Sequence, residues 1–320
     1  QYQYDPETEE TSSLLVETIF EEYTDEDGSA QRRVRRVIAF NPDQNAWNVT
    51  DYSYTSDNSD LISHTNQYVY DRSSGEYGDL FNESTYEEFN EEITNEWGFV
   101  VHERVSSRIA FSIRFSFADE NWMKTFYEYE DGSEYVTQTY SVNYDYSSET
   151  EGQFISETYY EAYYDMRGNR DQRIDYTVSY DGAEYNYAEF NYAADNNTDE
   201  VDYVDTYLYD YDTAQIGTLL SHTEYESYFN GLSHSMSRRI ASVRAYDRST
   251  GTWSYSSYQY ESDTSDVLTR VDKYGYDNGS NTVLDTLIGQ HYYEVYTNEI
   301  GTRKSRVSYA RTLDERSGEW

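Results

Sequence analysis

A tyrosine-rich unit of about 67 residues recurs along this chain, and this recurrence constrains the fold more than any other feature. One marker is an aromatic residue followed five and seven residues later by further aromatics, beginning at Trp47, Trp122, Tyr185 and Trp253. A second marker is Arg followed by Val or Ile, in five copies 75, 65, 66 and 67 residues apart, at Arg33, Arg108, Arg173, Arg239 and Arg306. Short units of this kind bury their faces against their neighbours. The sequence therefore predicts one repeat array over residues 1–320, with approximate units 5–70, 71–144, 145–209, 210–276 and an incomplete 277–320.

Between the markers, stretches rich in Tyr, Val, Ile, Thr and Phe alternate with clusters of Gly, Asn, Asp and Ser. Residues 207–211 (Tyr-Leu-Tyr-Asp-Tyr) show the pattern, which is typical of strands joined by hairpins. The sequence predicts an all-β fold, an antiparallel β-meander repeat array with about four strands in each of about five units. An open, twisted array is favoured because the strands are long and half polar. The alternative is a closed five-bladed β-propeller.

The charge balance limits the possible partners and source. The formal net charge is −39, and only three of the basic residues are lysines (Lys124, Lys273 and Lys304). An acid-rich, lysine-poor surface predicts a halophilic protein from a saline environment, because salt screens the repulsion among carboxylates. The alternative is a secreted acidic protein that binds divalent cations loosely. The same charge argues against nucleic-acid binding. The 40 tyrosines provide the apolar area that such a polar chain otherwise lacks.

Three further features of the sequence bear on where the protein is located. The chain has no cysteine, and no apolar run approaches the roughly 20 residues that span a bilayer. Its first residue is Gln1 rather than Met, which predicts an exported mature protein or a piece of a longer chain.

A glutamate precedes each repeated arginine across a hairpin turn. Because residues symmetric about such a turn stand opposite one another, the sequence predicts recurring cross-strand pairs. Exposed pairs of this kind contribute only about 0.2–1 kcal/mol, so we expect them to set the register of the strands. The predicted pairs are Glu21–Arg33, Glu161–Arg173, Glu226–Arg239 and Glu294–Arg306, with Glu87–Arg108 across a longer loop.

The two ends of the chain both fall inside a repeat. Residues 1–23 align without gaps onto residues 67–89, and Trp320 takes the position at which the next copy of the aromatic marker begins. The ends therefore predict a subunit junction. Its residues are Gln1, Tyr2, Tyr4 and Asp5 on one side, and Gly318 and Trp320 on the other.

The sequence gives little support for catalysis. The five histidines do not share a repeat position, and none has the spacing of a metal-binding motif. No nucleophile motif is present, so no enzyme, catalytic residue or metal site is predicted. No cofactor is predicted either. Acidic turns such as residues 25–28 offer oxygen ligands for loosely bound Ca²⁺ or other cations, although solvated turn residues are the favoured interpretation.

Three segments together carry a family resemblance: Trp47-Asn-x3-Tyr52-x-Tyr54, Tyr68-x-Tyr70-Asp71 and residues 245–253 (Ala-Tyr-Asp-Arg-Ser-Thr-Gly-Thr-Trp). In these, the chain resembles the Tyr-Asp and Trp-rich hairpin repeats of secreted and surface Bacteroidota proteins, which are distantly similar to YD (RHS-type) repeats. The resemblance covers nearly the whole chain, and its motifs are short. It implies an exported or surface protein and no catalytic residues.

The leading hypothesis is a non-enzymatic extracellular structural protein that self-assembles head to tail into a filament or surface layer. Its partner is then a further copy of itself. The alternative is a glycan-binding adhesin or propeller lectin, because rows of Tyr and Trp stack on sugar rings. Cell-surface glycans are the partners in that case, and neither hypothesis involves nucleic acid or a membrane span.

Overall fold

The computed structural model describes residues 2–5, 10–41, 46–94, 100–117, 119–193, 198–230, 235–297 and 303–313. In these residues the chain forms strands, turns and loops without a helix, so the predicted all-β fold is confirmed. The strands are β1 (Tyr2–Asp5), β2 (Glu10–Leu14), β3 (Val16–Thr24), β4 (Ala30–Asn41), β5 (Ala46–Tyr54), β6 (Ile62–Asp71), β7 (Glu76–Thr94), β8 (Val100–Ser116), β9 (Asn121–Tyr129), β10 (Val136–Asp145), β11 (Thr150–Tyr164), β12 (Arg170–Tyr180), β13 (Tyr185–Tyr192), β14 (Val201–Asp210), β15 (Gln215–Asn230), β16 (Ser235–Asp247), β17 (Thr252–Tyr260), β18 (Leu268–Asp277), β19 (Thr282–Thr297) and β20 (Arg303–Thr312).

The chain divides into two compact units, residues 1–157 and 158–320. In the first, β3 to β10 form a meander in which every strand pairs antiparallel with the next. In the second, β12 to β20 do the same. Within each unit, this continuous pairing of consecutive strands confirms the predicted meander. It does not fit the propeller alternative, in which each blade is a separate four-stranded sheet.

The repeat appears in the structure as four strand types, which we call A, B, C and D in chain order. Copy 1 comprises β3 to β6, copy 2 β7 to β10, copy 3 β11 to β14 and copy 4 β15 to β18. Copy 5 comprises the A strand β19 and the B strand β20. The aromatic marker lies on the C strands, and the repeated arginine lies on the B strands.

The N-terminal hairpin repeats the D–A hairpin of copy 1. Strand β1 pairs with β2 through Tyr2–Leu14, Tyr4–Thr11 and Asp5–Glu10. The β6–β7 hairpin has the register Tyr68–Leu80, Tyr70–Tyr77 and Asp71–Glu76. Every number differs by 66, the offset of the sequence alignment, and even the irregularity between the paired residues recurs. The fragment of a repeat at the N-terminus therefore folds as the repeat does.

The buried core is thin and mainly aliphatic, although Tyr163, Tyr228 and Tyr276 are also buried. In the first unit Ile38 and Val49 stand opposite one another on β4 and β5, and Val49 is fully buried. Ile113 and Val142 are also buried in that unit, and Val178 in the second unit is buried as well. Most tyrosines are half-buried, which suits a ring with a polar hydroxyl tip. The tyrosines thus cover the sheet, while a few branched aliphatics form its centre.

The D–A turns share an aspartate that fixes their geometry. The carboxylate of Asp71 accepts hydrogen bonds from the hydroxyl and backbone N–H of Ser73, at 2.7 and 2.8 Å. These bonds lower the pKa of Asp71 to about 2. Asp145 makes the same pair of bonds with Ser147 in copy 2. Such side-chain bonds to the following backbone hold a tight turn between long strands.

Candidate functional site

Each copy carries the repeated arginine on its B strand, and in copies 1 to 4 the same kinds of group enclose it. In copy 4, Arg239 stands opposite Glu226, and its Nε donates a hydrogen bond to Glu226 Oε1 at 2.7 Å. The guanidinium carbon lies 4.2 Å from the ring centre of Tyr260. Nη1 donates to the backbone carbonyls of Ser262, at 2.9 Å, and Ser265, both in the loop between the C and D strands. We call this set the arginine site.

The tyrosine over the guanidinium also ties the C strand to the B strand. The hydroxyl of Tyr260 donates to the carbonyl of Ile240 at 2.6 Å, and the hydroxyl of Tyr129 donates to that of Ile109 at 2.6 Å in copy 2. Burial raises the pKa of Tyr260 and of Tyr129 to about 12. The phenol therefore stays protonated and remains a donor far above neutral pH.

The other enclosed arginine sites reproduce this geometry. The Nε to Oε1 distances are 2.6 Å for Arg33–Glu21, 2.8 Å for Arg108–Glu87 and 2.7 Å for Arg173–Glu161. The C-strand ring centres lie 4.1, 4.3 and 4.1 Å from the guanidinium carbon, in Tyr54, Tyr129 and Tyr192. The loop carbonyls that accept from Nη1 belong to Ser56 and Ser59, to Glu130 and Ser133, and to Thr198.

The arginine site of copy 5 is half built. Arg306 stands opposite Glu294, with Nε 2.5 Å from Oε1, and its guanidinium carbon lies 5.2 Å from the ring centre of Tyr296 on the A strand. Within the part of the chain that the structure describes, no C-strand ring or loop carbonyl completes this site. The Arg306 side chain is 65% exposed, whereas that of Arg239 is 11% exposed.

The predicted Glu–Arg pairs are present, and in copies 1 to 4 they differ from the prediction in the burial of the arginine. The prediction took the pairs to be exposed, whereas the Arg33, Arg108, Arg173 and Arg239 side chains are largely buried. A buried guanidinium depends on all its hydrogen-bond acceptors, and removing partners leaves a costly unpaired charge. Only Arg306–Glu294 resembles the exposed pair that the sequence suggested.

The loop carbonyls are the part of the arginine site that sequence reasoning missed. Backbone acceptors have no residue-type signature, and although the C–D loops of copies 1 and 4 share Ser-Asp-x-Ser-Asp at residues 56–60 and 262–266, those of copies 2 and 3 do not. The covering tyrosine did carry a signal, since it is the third residue of the aromatic marker, as in Tyr54 and Tyr260. Its recurrence at the same distance from the marker's first aromatic could have pointed to a shared contact.

Half of the six predicted junction residues lie outside the described residues: Gln1, Gly318 and Trp320. Tyr2, Tyr4 and Asp5 lie on β1, whose backbone pairs with β2 of the same chain. One side of the predicted junction, Gly318 and Trp320, lies outside the described residues, so the junction stays a prediction.

A histidine–carboxylate cluster where copies 3 and 4 meet has the composition of a catalytic group but not the geometry. His222 Nδ1 lies 2.6 Å from Asp205 Oδ1, and its Nε2 lies 3.3 Å from Glu224 Oε1. Ser242 is buried, and its hydroxyl donates to Glu224 at 2.7 Å rather than to the imidazole. Burial opposes ionisation of Glu224, but the hydrogen bonds from Ser242 and His222 outweigh it and lower the pKa. A serine nucleophile needs a base as acceptor and an open approach, so this cluster is structural.

Among the described residues, no group of three or more His, Asp or Glu side chains is arranged to hold a metal ion. The described strands and loops also include no helix long and apolar enough to cross a membrane.

Comparison with known proteins identifies no family. No family model matches the chain, and no curated protein matches it. A porin-like protein from Bacteroides uniformis is 10% identical, with a TM-score of 0.30, over 90% of this chain and 95% of that one. A protein of unknown function from Bacteroides fragilis is 12% identical, with a TM-score of 0.18, over 62% of this chain and 97% of that one. At these TM-scores neither similarity carries an argument about fold or function.

Proposed function

We propose that this chain is a non-enzymatic extracellular structural protein that self-assembles, with the half-built arginine site of copy 5 as one side of the contact. The observation that carries the proposal is the difference between Arg306 and its four counterparts. The same side chain is enclosed by a tyrosine ring and loop carbonyls in copies 1 to 4, and it is exposed in copy 5. The four enclosed sites define the chemistry that would complete the fifth.

The surroundings of Arg306 support the same interpretation. Val307 and Tyr309 on β20 are 58% and 53% exposed, although they are apolar or aromatic residues on a strand. The corresponding B strand of copy 4, β16, has its central residues half-buried or buried. An exposed arginine beside exposed apolar side chains has the composition of a protein contact rather than of a solvated surface.

The partner that fits is a second copy that presents a C-type strand with its tyrosine and C–D loop. A ring about 4 Å from the guanidinium and two carbonyl acceptors would bury Arg306 as they bury Arg239. Such a contact depends on charge-assisted hydrogen bonds and a ring over the guanidinium rather than on a large apolar interface, which suits a chain of this polarity. A contact between unlike surfaces that does not close into a ring produces a filament.

The experiment is sedimentation velocity with negative-stain electron microscopy, at high salt, on the full chain and on Arg306→Ala. We expect polymers with a regular axial repeat for the parent chain and their loss in the variant, with unchanged β-sheet circular dichroism. Arg32→Ala is the matched control, because Arg32 also forms an exposed hairpin pair, with Glu22 at 3.2 Å. A parent chain that stays monomeric at tens of micromolar would refute the proposal.

Two further experiments locate the contact between copies of the chain. A synthetic peptide of residues 251–268, which contains a C strand and a C–D loop, is expected to compete for Arg306 and shorten the polymers, while its scrambled version has no effect. Deletion of residues 1–5 tests the predicted N-terminal side of the junction. Polymers that survive both Arg306→Ala and this deletion would show that assembly uses another surface.

A further inference from the structure

A groove of about 510 Å³ lies on one face of the second unit, across strands β17 to β20. Residues that pair across neighbouring strands form its floor: Ser256 pairs with Lys273, and Lys273 pairs with Gly289. One step along, Val271 pairs with His291, so the imidazole points to the same face as Lys273. Residues directly opposite in an antiparallel sheet share a face, so these side chains converge on one space.

Two tyrosines, Tyr258 and Tyr293, also line the groove, as does Asp247, whose carboxylate accepts hydrogen bonds from the backbone N–H and hydroxyl of Ser249. Burial, followed by the proximity of Tyr293, raises the pKa of Tyr258. The groove thus combines phenol and serine hydroxyls with a lysine and a histidine. Its volume falls within the range of small-molecule sites, roughly 300–1,000 Å³.

The other copies serve as an internal reference, and they lack this combination. The position of Lys273 is held by Gln67 in copy 1, Ser141 in copy 2 and Thr206 in copy 3. All three are uncharged. In copy 1 the Asn82 side chain on the neighbouring strand also occupies this position, and its Nδ2 donates to Gln67 Oε1 at 3.3 Å. In copy 4 the residue opposite Lys273 is Gly289, which has no side chain to fill the position, and the Lys273 side chain lies against it.

The positive charge in the groove is unusual in this chain. Within the described residues, Lys273 and His291 take part in no ion pair or side-chain hydrogen bond. The neighbouring Asp272 points to the opposite face, where it is buried and accepts from Arg270 and Gln290. Lys124, by contrast, is paired with Glu151 at 2.8 Å. A lysine that stays without a carboxylate in a chain of net charge −39 is free to bind an anion.

We propose that this groove binds an acidic sugar residue of the uronic acid type. The carboxylate pairs with Lys273, with His291 beside it, and the ring hydroxyls exchange hydrogen bonds with Ser256 and the two phenols. Hydroxyls on both partners and an aromatic wall are the chemistry that recognises a saccharide. The acidic surface around the groove repels long polyanions, so a single or terminal uronate fits better than a highly charged chain.

The test is isothermal titration calorimetry, or ligand-observed NMR for weak binding, with methyl glucuronide as the probe. Methyl glucoside is the neutral isostere, and acetate supplies the carboxylate without the ring. We expect glucuronide to bind at least about tenfold more tightly than either, because only it satisfies both the charge and the hydroxyls. Equal binding of glucoside and glucuronide would overturn anion recognition, and equal binding of acetate would overturn sugar recognition. No binding of any probe would overturn the site itself.

Variants locate the binding. Lys273→Gln introduces the copy-1 residue and is expected to weaken glucuronide binding by about tenfold or more. Lys124→Gln removes the same charge from a paired lysine and is expected to leave binding unchanged. Gly289→Ser fills the floor, where an added Cβ meets nothing closer than 3.6 Å, so the variant folds and blocks the ligand sterically. Binding that survives both Lys273→Gln and Gly289→Ser would place the ligand elsewhere.

Discussion

Copies 4 and 5 of the repeat lie in the same unit, and each begins with the same type of A–B hairpin. Their repeated arginines nevertheless differ in environment. Arg239 and Arg306 each donate Nε to a glutamate on the neighbouring A strand, at 2.7 and 2.5 Å. Copy 4 then adds the C strand and its loop, so Arg239 is only 11% exposed, while Arg306 stays 65% exposed. Within the part of the chain that the structure describes, the Glu–Arg hairpin of copy 5 therefore forms without a C strand beside it, and the enclosure is a separate, additional set of contacts. Those contacts turn a surface ion pair into a link between three strands and a loop.

The largest expected effect comes from removing each arginine in turn. Arg239→Ala deprives Glu226, two loop carbonyls and a tyrosine ring of their common partner, and we expect it to lower the free energy of unfolding by about 2–4 kcal/mol. Arg306→Ala removes an exposed pair and should cost less than about 1 kcal/mol. Urea unfolding followed by circular dichroism measures both. Equal losses would show that enclosure adds nothing to the hairpin pair.

A second prediction concerns packing that differs between copies 3 and 4. In the irregular part of the D–A pairing, copy 3 has Leu208 beside Gly217, and a Cβ on that glycine would meet the Leu208 carbonyl oxygen at 3.1 Å. Copy 4 reverses the order, with Gly275 on the D strand and Leu284 on the A strand. One large and one absent side chain thus share a space that does not hold two.

Gly217→Leu alone is expected to destabilise the chain by about 1–3 kcal/mol through overpacking. The double variant Leu208→Gly/Gly217→Leu reproduces the copy-4 order. It removes the Leu208 side chain but keeps the carbonyl oxygen, so we expect it to recover only part of that loss. A double-mutant cycle from urea unfolding gives the coupling directly. Additive losses would mean that the two residues do not compete for space, and that the copies differ for another reason.

Much of this architecture is visible in the sequence, for reasons that specific residues make clear. Glu21 and Arg33 are symmetric about the turn at Gly28, so hairpin geometry alone places them opposite one another. The alignment of residues 1–23 onto 67–89 predicts the β1–β2 register because equal spacing in a hairpin gives equal pairing. Local sequence and the two-residue period of a strand are sufficient for such features.

The candidate sites are less predictable, because they depend on groups distant in sequence. The carbonyls of Ser262 and Ser265 reach Arg239 only after β16, β17 and β18 have paired, and a backbone oxygen has no sequence signature. Lys273 is a visible departure from the other copies, but the sequence does not show that Gly289 leaves room beside it. Burial and free space arise from packing, and a single sequence carries no direct record of them.

The enclosed sites should also appear in an alkaline titration. Burial raises the pKa of Tyr129, Tyr192 and Tyr260 to about 12. Between pH 10 and 12 the folded chain retains these protons while the unfolded chain, with ordinary phenols, loses them. Stability is therefore fully present below pH 10 and falls as the pH rises to 12.

Absorbance at 295 nm is expected to show a class of tyrosines that ionises about two pH units after the exposed ones. Tyr260→Phe removes one member of this class and the hydroxyl bond to Ile240, so the amplitude near pH 12 should fall by one phenol. An unchanged amplitude would show that Tyr260 is not enclosed in solution.

The smallest expected effect tests whether the repeated turns are equally well built in each copy. The last residue of the D–A turn has positive φ throughout, at 76° for Gly75 in copy 1 and 53° for Ala214 in copy 3. A side chain in this region costs about 1–2 kcal/mol, which glycine avoids, although glycine loses more backbone entropy on folding. Ala214→Gly should therefore stabilise the chain by about 0.5–1 kcal/mol, measured by urea unfolding.

Ala188→Gly, on strand β13, is the matched control and should destabilise it by about 0.5–1 kcal/mol. If both variants lose stability to the same extent, the left-handed backbone conformation at Ala214 does not lower the stability of copy 3. The sequence difference between Gly75 and Ala214 would then have no conformational cost.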